Sequence, residues 1–263
     1  MTLDSKEEKN IPKYTREADI KRLSFIREQV SAHLGKVEGE VLDIGCGNGI
    51  ISINLGAAGF NVVGVDVSDK AIEIANQQNP FPNVSFEVLP AEKLEAYTKQ
   101  YDIIVCSEVL EHLQDPSRLV EELTKNLKPS GILIVTVPNG IGPRELLVTR
   151  PMIFIRDHLP FVLKFVLGIK KVLGYSGTTI QSAADNLDHI QFFTKKTLTK
   201  LADKNEFKIV TFAKSNFIDD VFPFSLFARR SRKLQQMDSR LADRLPSSFT
   251  GGFLTTWKKI PVA

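Results

Sequence analysis

The stretch Val41-Leu-Asp-Ile-Gly-Cys-Gly-Asn-Gly49 constrains this chain more than any other. An apolar run leads into glycines at every second position, Gly45, Gly47 and Gly49, and an amphipathic segment from Ile50 to Ala58 follows at once. Strand, tight turn and helix in that order is the context that gives a glycine-rich motif meaning. Glycines let the backbone take positive φ and let a ligand come close to it. The helix start beyond adds unpaired N–H groups and a partial positive charge. The spacing is G-x-G-x-G rather than G-x-G-x-x-G, and Asp43 stands at the strand end just before it. That carboxylate would repel a pyrophosphate and attract a cation. The next strand, Asn61 to Asp66, ends in a second acid, placed for a ribose. A ligand with a sugar, a positive charge and no phosphate satisfies both observations. A nicotinamide-binding turn and a purely structural strand–helix joint are the competing readings.

At these residues the sequence resembles the class I S-adenosylmethionine-dependent methyltransferases, whose first motif reads much like Val41–Gly49 and whose ribose-binding acid corresponds to Asp66. The resemblance implies a Rossmann-like, doubly wound α/β sheet of seven strands, mostly parallel with one antiparallel edge strand. It also implies S-adenosylmethionine as cofactor, held by Asp43, Gly45, Cys46, Gly47, Asn48, Gly49, Asp66, Val67 and Ser107. Ala91 and Glu92 occupy the place where relatives meet the adenine, although Pro90 stands where relatives often carry an acid or small polar residue. Arg22 matches an arginine that ubiquinone-biosynthesis O-methyltransferases supply to the cofactor from the helix before the first strand. It reads equally as a solvated helix charge.

The order of elements agrees. Residues 1–16 are polar and charged and read as a mobile arm, with the methyltransferase domain over 17–263. Apolar residues at helical spacing predict a helix from Glu17 to Leu34. Ser68 is an N-cap for a helix over Asp69–Gln78. Val84–Leu89 alternates as a third strand, Tyr101–Ser107 is apolar enough for a central fourth, and Ile132–Pro138 is a buried fifth after a turn at Lys128–Gly131. Between the fourth and fifth, Asp115-Pro116 opens a helix over Ser117–Leu127. Thr194 caps a helix over Lys195–Lys204, and Phe207–Phe212 and Phe253–Lys258 are the last two strands, the second being the antiparallel one.

Glu108-Val-Leu-Glu-His-Leu113 resembles the segment after the fourth strand in quinone and related small-molecule methyltransferases. If a helix starts there, Glu108, Glu111 and His112 share one face, which at this sheet edge looks into the ligand crevice. Three readings stay open. Glu111 or His112, or His189 from the later segment Asp188–Thr194, is a general base for an acceptor hydroxyl. Alternatively, Glu108, Glu111 and His112 hold a divalent ion such as Mg2+, as the quinone O-methyltransferases do. The third reading is a hydrogen-bonded helix start without chemistry.

Regular alternation stops over 141–188 and again over 218–249, which read as helical additions. Residues 144–174 carry several basic side chains and a basic amphipathic stretch, Phe161–Leu173, too short and charged to span a bilayer. The basic, aromatic run 222–245 is its counterpart. Both are candidates for peripheral contact with anionic lipid, for a substrate lid, or for packing on the core or a second subunit. Two cysteines, no apolar leader in the first ten residues and a net charge of +3 point to a reducing cytosol, with peripheral contact at the inner face of the membrane, and give no reason to expect a nucleic-acid partner. The expected reaction is methyl transfer to a hydroxyl or carbon of a small, apolar or lipid-like acceptor such as a quinone precursor. A sugar or polyketide acceptor is the rival, and a non-catalytic S-adenosylmethionine-binding protein is the rival of another class.

Overall fold

A computed structural model describes residues 11–35, 39–89, 99–159, 161, 189–228 and 230–260. Along the chain run α1 (Glu17–Leu34), β1 (Glu40–Ile44), α2 (Ile50–Gly56), β2 (Asn61–Asp66), α3 (Asp69–Gln78), β3 (Val84–Val88) and β4 (Tyr101–Ser107). After a 3₁₀ turn (Leu110–His112) come α4 (Pro116–Asn126) and β5 (Leu127–Pro138). A π turn (Glu145–Thr149) then leads into α5 (Arg150–His158). Next are α6 (Lys195–Lys204), β6 (Phe207–Lys214), α7 (Ser225–Ala228), α8 (Arg232–Arg244) and β7 (Gly252–Lys259).

The strands form one seven-stranded sheet in the order β3-β2-β1-β4-β5-β7-β6. β1 to β5 are parallel, while β7 runs antiparallel to both β5 and β6. β7 therefore sits one place in from the margin and β6 is outermost, because the chain enters β6 first and returns between it and β5. That place buries Trp257 completely.

Period-two alternation sorts the central strands onto two faces. Leu42, Ile44, Ile104, Cys106, Leu133 and Val135 pack with α4 and α6 through Leu119, Leu123 and Leu198. Val41, Ile103, Val105, Ile132 and Ile134 pack with α1, α2 and α3 through Ile26, Val30, Ile53 and Ile72. Burying each large aliphatic side chain contributes about 1.5–3 kcal/mol, so reversing the register of any central strand would forfeit several of these at once. The caps are the expected ones. Ser68 Oγ accepts from the Ala71 N–H (3.3 Å), Asp115 accepts from Ser117 and Arg118, and Thr194 and Thr197 form a capping box.

Three expectations are corrected. The supposed arm is held down from residue 11 on: Ile11 and Tyr14 pack on the core, and Asn54 donates to the Pro12 carbonyl (3.0 Å). Residues 1–10 lie outside the described chain. The Lys128–Gly131 turn is a bulge within β5, where pairing jumps from Tyr101–Leu127 to Ile103–Ile132. No helix starts at Glu108. That residue has φ 58°, and only a short 3₁₀ turn follows at Leu110–His112, so Glu108 does not share a helix face with Glu111 and His112. Among the described residues no helix is long and apolar enough to cross a membrane.

Candidate active site

β1 and β2 end side by side, and the glycine turn leaves the end of β1. Gly45, Gly47 and Gly49 take φ values of 67°, 54° and 79°, a region other residues enter only at a cost. Gly45 N–H and Cys46 N–H both donate to the Val65 carbonyl (2.8 and 3.0 Å). Gly47 N–H donates to Asp66 Oδ2 (2.8 Å), and Asp66 Oδ1 accepts from Ser68 N–H (2.9 Å). Asp66 thus braces the turn from the neighbouring strand. A Cβ on Gly49 would strike Phe86 and one on Gly45 would strike Val109, whereas one on Gly47 would meet only open space. Asn48 is half-buried on the turn and Val67 is exposed beyond Asp66. The Cys46 thiol is buried, and burial pushes its pKa well up, which leaves it inert.

Asp43 is 1% exposed. Its Oδ2 accepts from Ser52 Oγ (2.6 Å), while Oδ1 is buried with no hydrogen-bond partner. Burial, more than the nearby Asp66 carboxylate, raises its carboxyl to about 7.

Arg22 reaches in from α1 and is buried. One end of its guanidinium lies 3.1 Å from Asp19 Oδ1, the other 3.6 Å from Glu108 Oε2, and the group sits over the Tyr14 ring. It is therefore no solvated helix charge. Glu108 Oε1 accepts from Thr136 Oγ1 (3.0 Å). With that hydroxyl proton committed, Ser107 Oγ donates to Thr136 Oγ1 (2.9 Å). The Ser107 hydroxyl thus belongs to a relay between β4 and β5.

A second cluster forms beside the turn after β4. Donor atoms of Glu111, His112 and His189 lie within 4.8 Å of one another. The His112 and His189 rings meet edge to face at 5.1 Å. The Glu111 carbonyl accepts from both Ile190 N–H (2.8 Å) and Gln191 N–H (2.9 Å), which pins His189 against the turn. Both Glu111 carboxyl oxygens are buried without a hydrogen-bond partner, and burial, with Glu108 adding, pushes this carboxyl well above its usual range. Val109, on the same turn, lies beside Gly45, and its carbonyl accepts from the His112 N–H (3.0 Å).

A family model described as a methyltransferase domain matches residues 14–211. The chain belongs to this family. Its fold is that of the class I S-adenosylmethionine-dependent methyltransferases, and S-adenosylmethionine is the methyl donor of the class. A ubiquinone biosynthesis O-methyltransferase of Rickettsia akari is 38% identical over 124 residues, 45% of this chain and 48% of that protein. One of Bordetella pertussis is 36% identical over 129 residues, 48% of this chain and 52% of that protein. The methyltransferase spans about half the length of the curated relatives it matches. In fold it is similar to magnesium protoporphyrin IX methyltransferase of Synechocystis, crystallised with S-adenosylhomocysteine (TM-score 0.56, 18% identity, 98% of this chain and 89% of that one).

The residues at the glycine turn fit such a cofactor. The orphaned Asp43 oxygen suits a cation, and the open side of Gly47 suits close approach of a ligand to the backbone. A magnesium ion at Glu108, Glu111 and His112 does not fit. Glu108 is turned to Arg22 and Thr136, and the donors that do gather include two imidazoles, whereas Mg2+ is held by oxygen. Ala91 and Glu92 lie outside the described residues.

Sequence reasoning missed Glu145, one of two acids, with Asp157, in the basic stretch 144–174. It is 1% exposed, and its Oε1 lies 3.3 Å from His189 Nδ1. Local periodicity offered no signal, because Glu145 opens a π turn. A buried carboxylate next to histidine in a region that breaks the α/β alternation becomes meaningful only once the chain has folded.

Proposed function

We propose that this methyltransferase moves a methyl group from S-adenosylmethionine to a hydroxyl of a small, apolar or lipid-like acceptor, with a quinone precursor as the preferred class. The observation that carries this reading is the gathering of Glu111, His112 and His189 at the turn after β4, the same turn whose Val109 side chain lies beside Gly45. It brings a proton acceptor beside the place where the cofactor would lie.

In this reading Asp43 meets the cationic part of the cofactor, Asp66 and the open side of Gly47 meet its ribose side, and Arg22 holds Glu108 at the border between cofactor and acceptor. Cys46, Asn48 and Val67 shape the turn around it. The cofactor supplies an activated methyl group, so the protein contributes chiefly alignment. Burial pushes the Glu111 carboxyl well above its usual range, which favours its uncharged form beside the acceptor. The acceptor proton passes to the imidazole pair. The names of the relatives support an oxygen acceptor on a quinone precursor. Leu147, Phe154 and Phe161 are 65%, 57% and 73% exposed, which supports peripheral contact with an apolar surface, although Arg144 and Arg156 nearby in the chain are paired with Asp220 and Asp157.

The test is untargeted mass spectrometry of a strain lacking the protein, followed by methyl transfer to the accumulated compound in vitro. The expected compound is one methylene lighter than the normal product, apolar, and methylated on oxygen. Accumulation of a demethyl sugar or polyketide would replace this acceptor. No change in the methylated pool, with the cofactor bound but never consumed, would favour a binding protein. Turnover unaffected by a chelator is expected from the poor fit to magnesium.

A further inference from the structure

His112, Glu111 and His189 are three candidates for one proton, and their surroundings separate them. Gln191 side-chain N–H groups reach the Leu113 and Gln114 carbonyls (3.3 and 3.2 Å), adding to the two backbone bonds that fix the 189–191 segment on the turn. From the other side comes Glu145. Asn139 closes a tight turn with Gly142 (2.7 Å), Arg150 donates to the Gly140 carbonyl (2.8 Å), and its guanidinium lies over the Phe192 ring. These contacts bring the start of the π turn down on residues 189–192. Both Glu145 oxygens are buried and lack a well-aligned hydrogen-bond partner, yet one is 3.3 Å from His189 Nδ1. A buried carboxylate without donors is costly unless something uses it. Hydrogen bonds of this kind are often long in a ligand-free enzyme and tighten around substrate.

We infer that Glu145 is a positioning residue for His189. It accepts a hydrogen bond from Nδ1–H, fixes that tautomer, and leaves Nε2 as the base for the acceptor hydroxyl. The assignment of the base rests on the methyl-transfer reading, but the tautomer does not. In the reaction the acceptor O–H bond breaks and its proton goes to His189 Nε2. The oxygen lone pair forms the new bond to the methyl carbon, and the electron pair of the broken carbon–sulfur bond stays on sulfur. The Glu145 carboxylate then faces an imidazolium. This is the arrangement in which a third group orients a base. Glu111, whose carboxyl burial pushes well above its usual range, and His112, edge-on to His189, flank the site.

Two measurements test it separately. The chain has four histidines, so the full-length protein labelled with 15N-histidine gives a tractable long-range proton–nitrogen spectrum, with His189 assigned from His189→Asn. A protonated Nδ1 and a bare Nε2 are expected at His189 in the unmodified protein, and loss of that preference in Glu145→Met. A modest loss of thermal stability is expected alongside, because Met leaves the His189 Nδ1–H without its acceptor. Glu145→Ala serves if the Met variant does not fold, and Glu145→Asp should partly restore the native pattern. A His189 protonated on Nε2 in the unmodified protein, or a tautomer indifferent to Glu145, overturns the inference.

The second measurement uses a decyl ester of 3,4-dihydroxybenzoate as an apolar catechol probe. Glu145→Met should lower kcat by about 10–100-fold with KM and cofactor affinity little changed, and should cost nothing further in a His189→Ala background. Additive losses would overturn the pairing. Absence of any turnover of this probe counts against the acceptor class, while the spectrum still decides the role of Glu145.

Discussion

Around the glycine turn, the deciding contacts join residues close in sequence. Asp43 meets Ser52 nine residues on, and Gly47 meets Asp66 nineteen residues on. Around His189 they join Glu111, Glu145 and the 189–191 segment, with Gln191 bonded 78 residues back to Leu113, and the Asn139 corner is tied to Thr250 across 111 residues. The first region is a continuous βαβ unit whose geometry local sequence can impose. The second exists only when β4, β5 and two additions to the basic fold have come together. The cofactor side should therefore be stiff and intolerant, and the acceptor side adjustable. A family that keeps one donor and changes its acceptors is served by that division.

The sharpest way to break this contrast is Gly49→Ala. The new methyl must accept φ 79° and enter space held by Phe86 and the Ala75 Cβ. Left-handed strain and overpacking together should cost about 3 kcal/mol, read as a lowered urea midpoint. A loss under about 1 kcal/mol would show that the turn is as forgiving as the acceptor side. Asp66→Ala comes next. Removing charge-assisted acceptors should weaken S-adenosylmethionine binding by roughly 1–3 kcal/mol by calorimetry. It should also lower the stability of the cofactor-free protein, because Gly47 and Ser68 lose their acceptors. Unchanged affinity would remove Asp66 from the cofactor side.

The same division decides what could be read before folding. α1, β2, α3 and β4 begin and end where capping and periodicity put them, since each carries its own signals in residues such as Ser68 and Asp66. The helix start considered at Glu108 is absent because Glu108 takes a left-handed conformation that side-chain pattern alone does not announce. Its carboxylate lies beside Arg22, a residue of α1. Glu145 was invisible for the same reason on a larger scale: its partner stands in a segment beyond residues 162–188, which lie outside the described chain together with most of the amphipathic stretch. Of the basic run at 222–245, α8 turns out to spend charge on α1. Lys21 meets Asp243 at 2.7 Å and Arg232, itself still exposed, approaches Glu17, so one side of this helix faces α1 while its basic side chains stay at the surface.

The finest probe of the stiff side is pH. Asp43 titrates near 7 in the folded chain, chiefly through burial, against about 3.9 when unfolded. Below about pH 4 both states hold the proton. Between about 4 and 7 the unfolded chain releases it while the folded chain keeps it, so Asp43 makes stability fall as pH rises through this window. A cation bound beside the orphaned Oδ1 reverses the preference by favouring the carboxylate. Cofactor binding should then expel a proton, and affinity should rise with pH between about 5.5 and 7 by up to about tenfold per unit, or ~1.4 kcal/mol, before levelling off. Calorimetry in two buffers of different ionisation heat measures the released proton directly. Asp43→Asn should abolish both the release and this slope while keeping the Ser52 contact, since an amide oxygen still accepts from the hydroxyl. A slope that survives the substitution would place the titrating group elsewhere. Asp43 would then be only a strut beneath the turn.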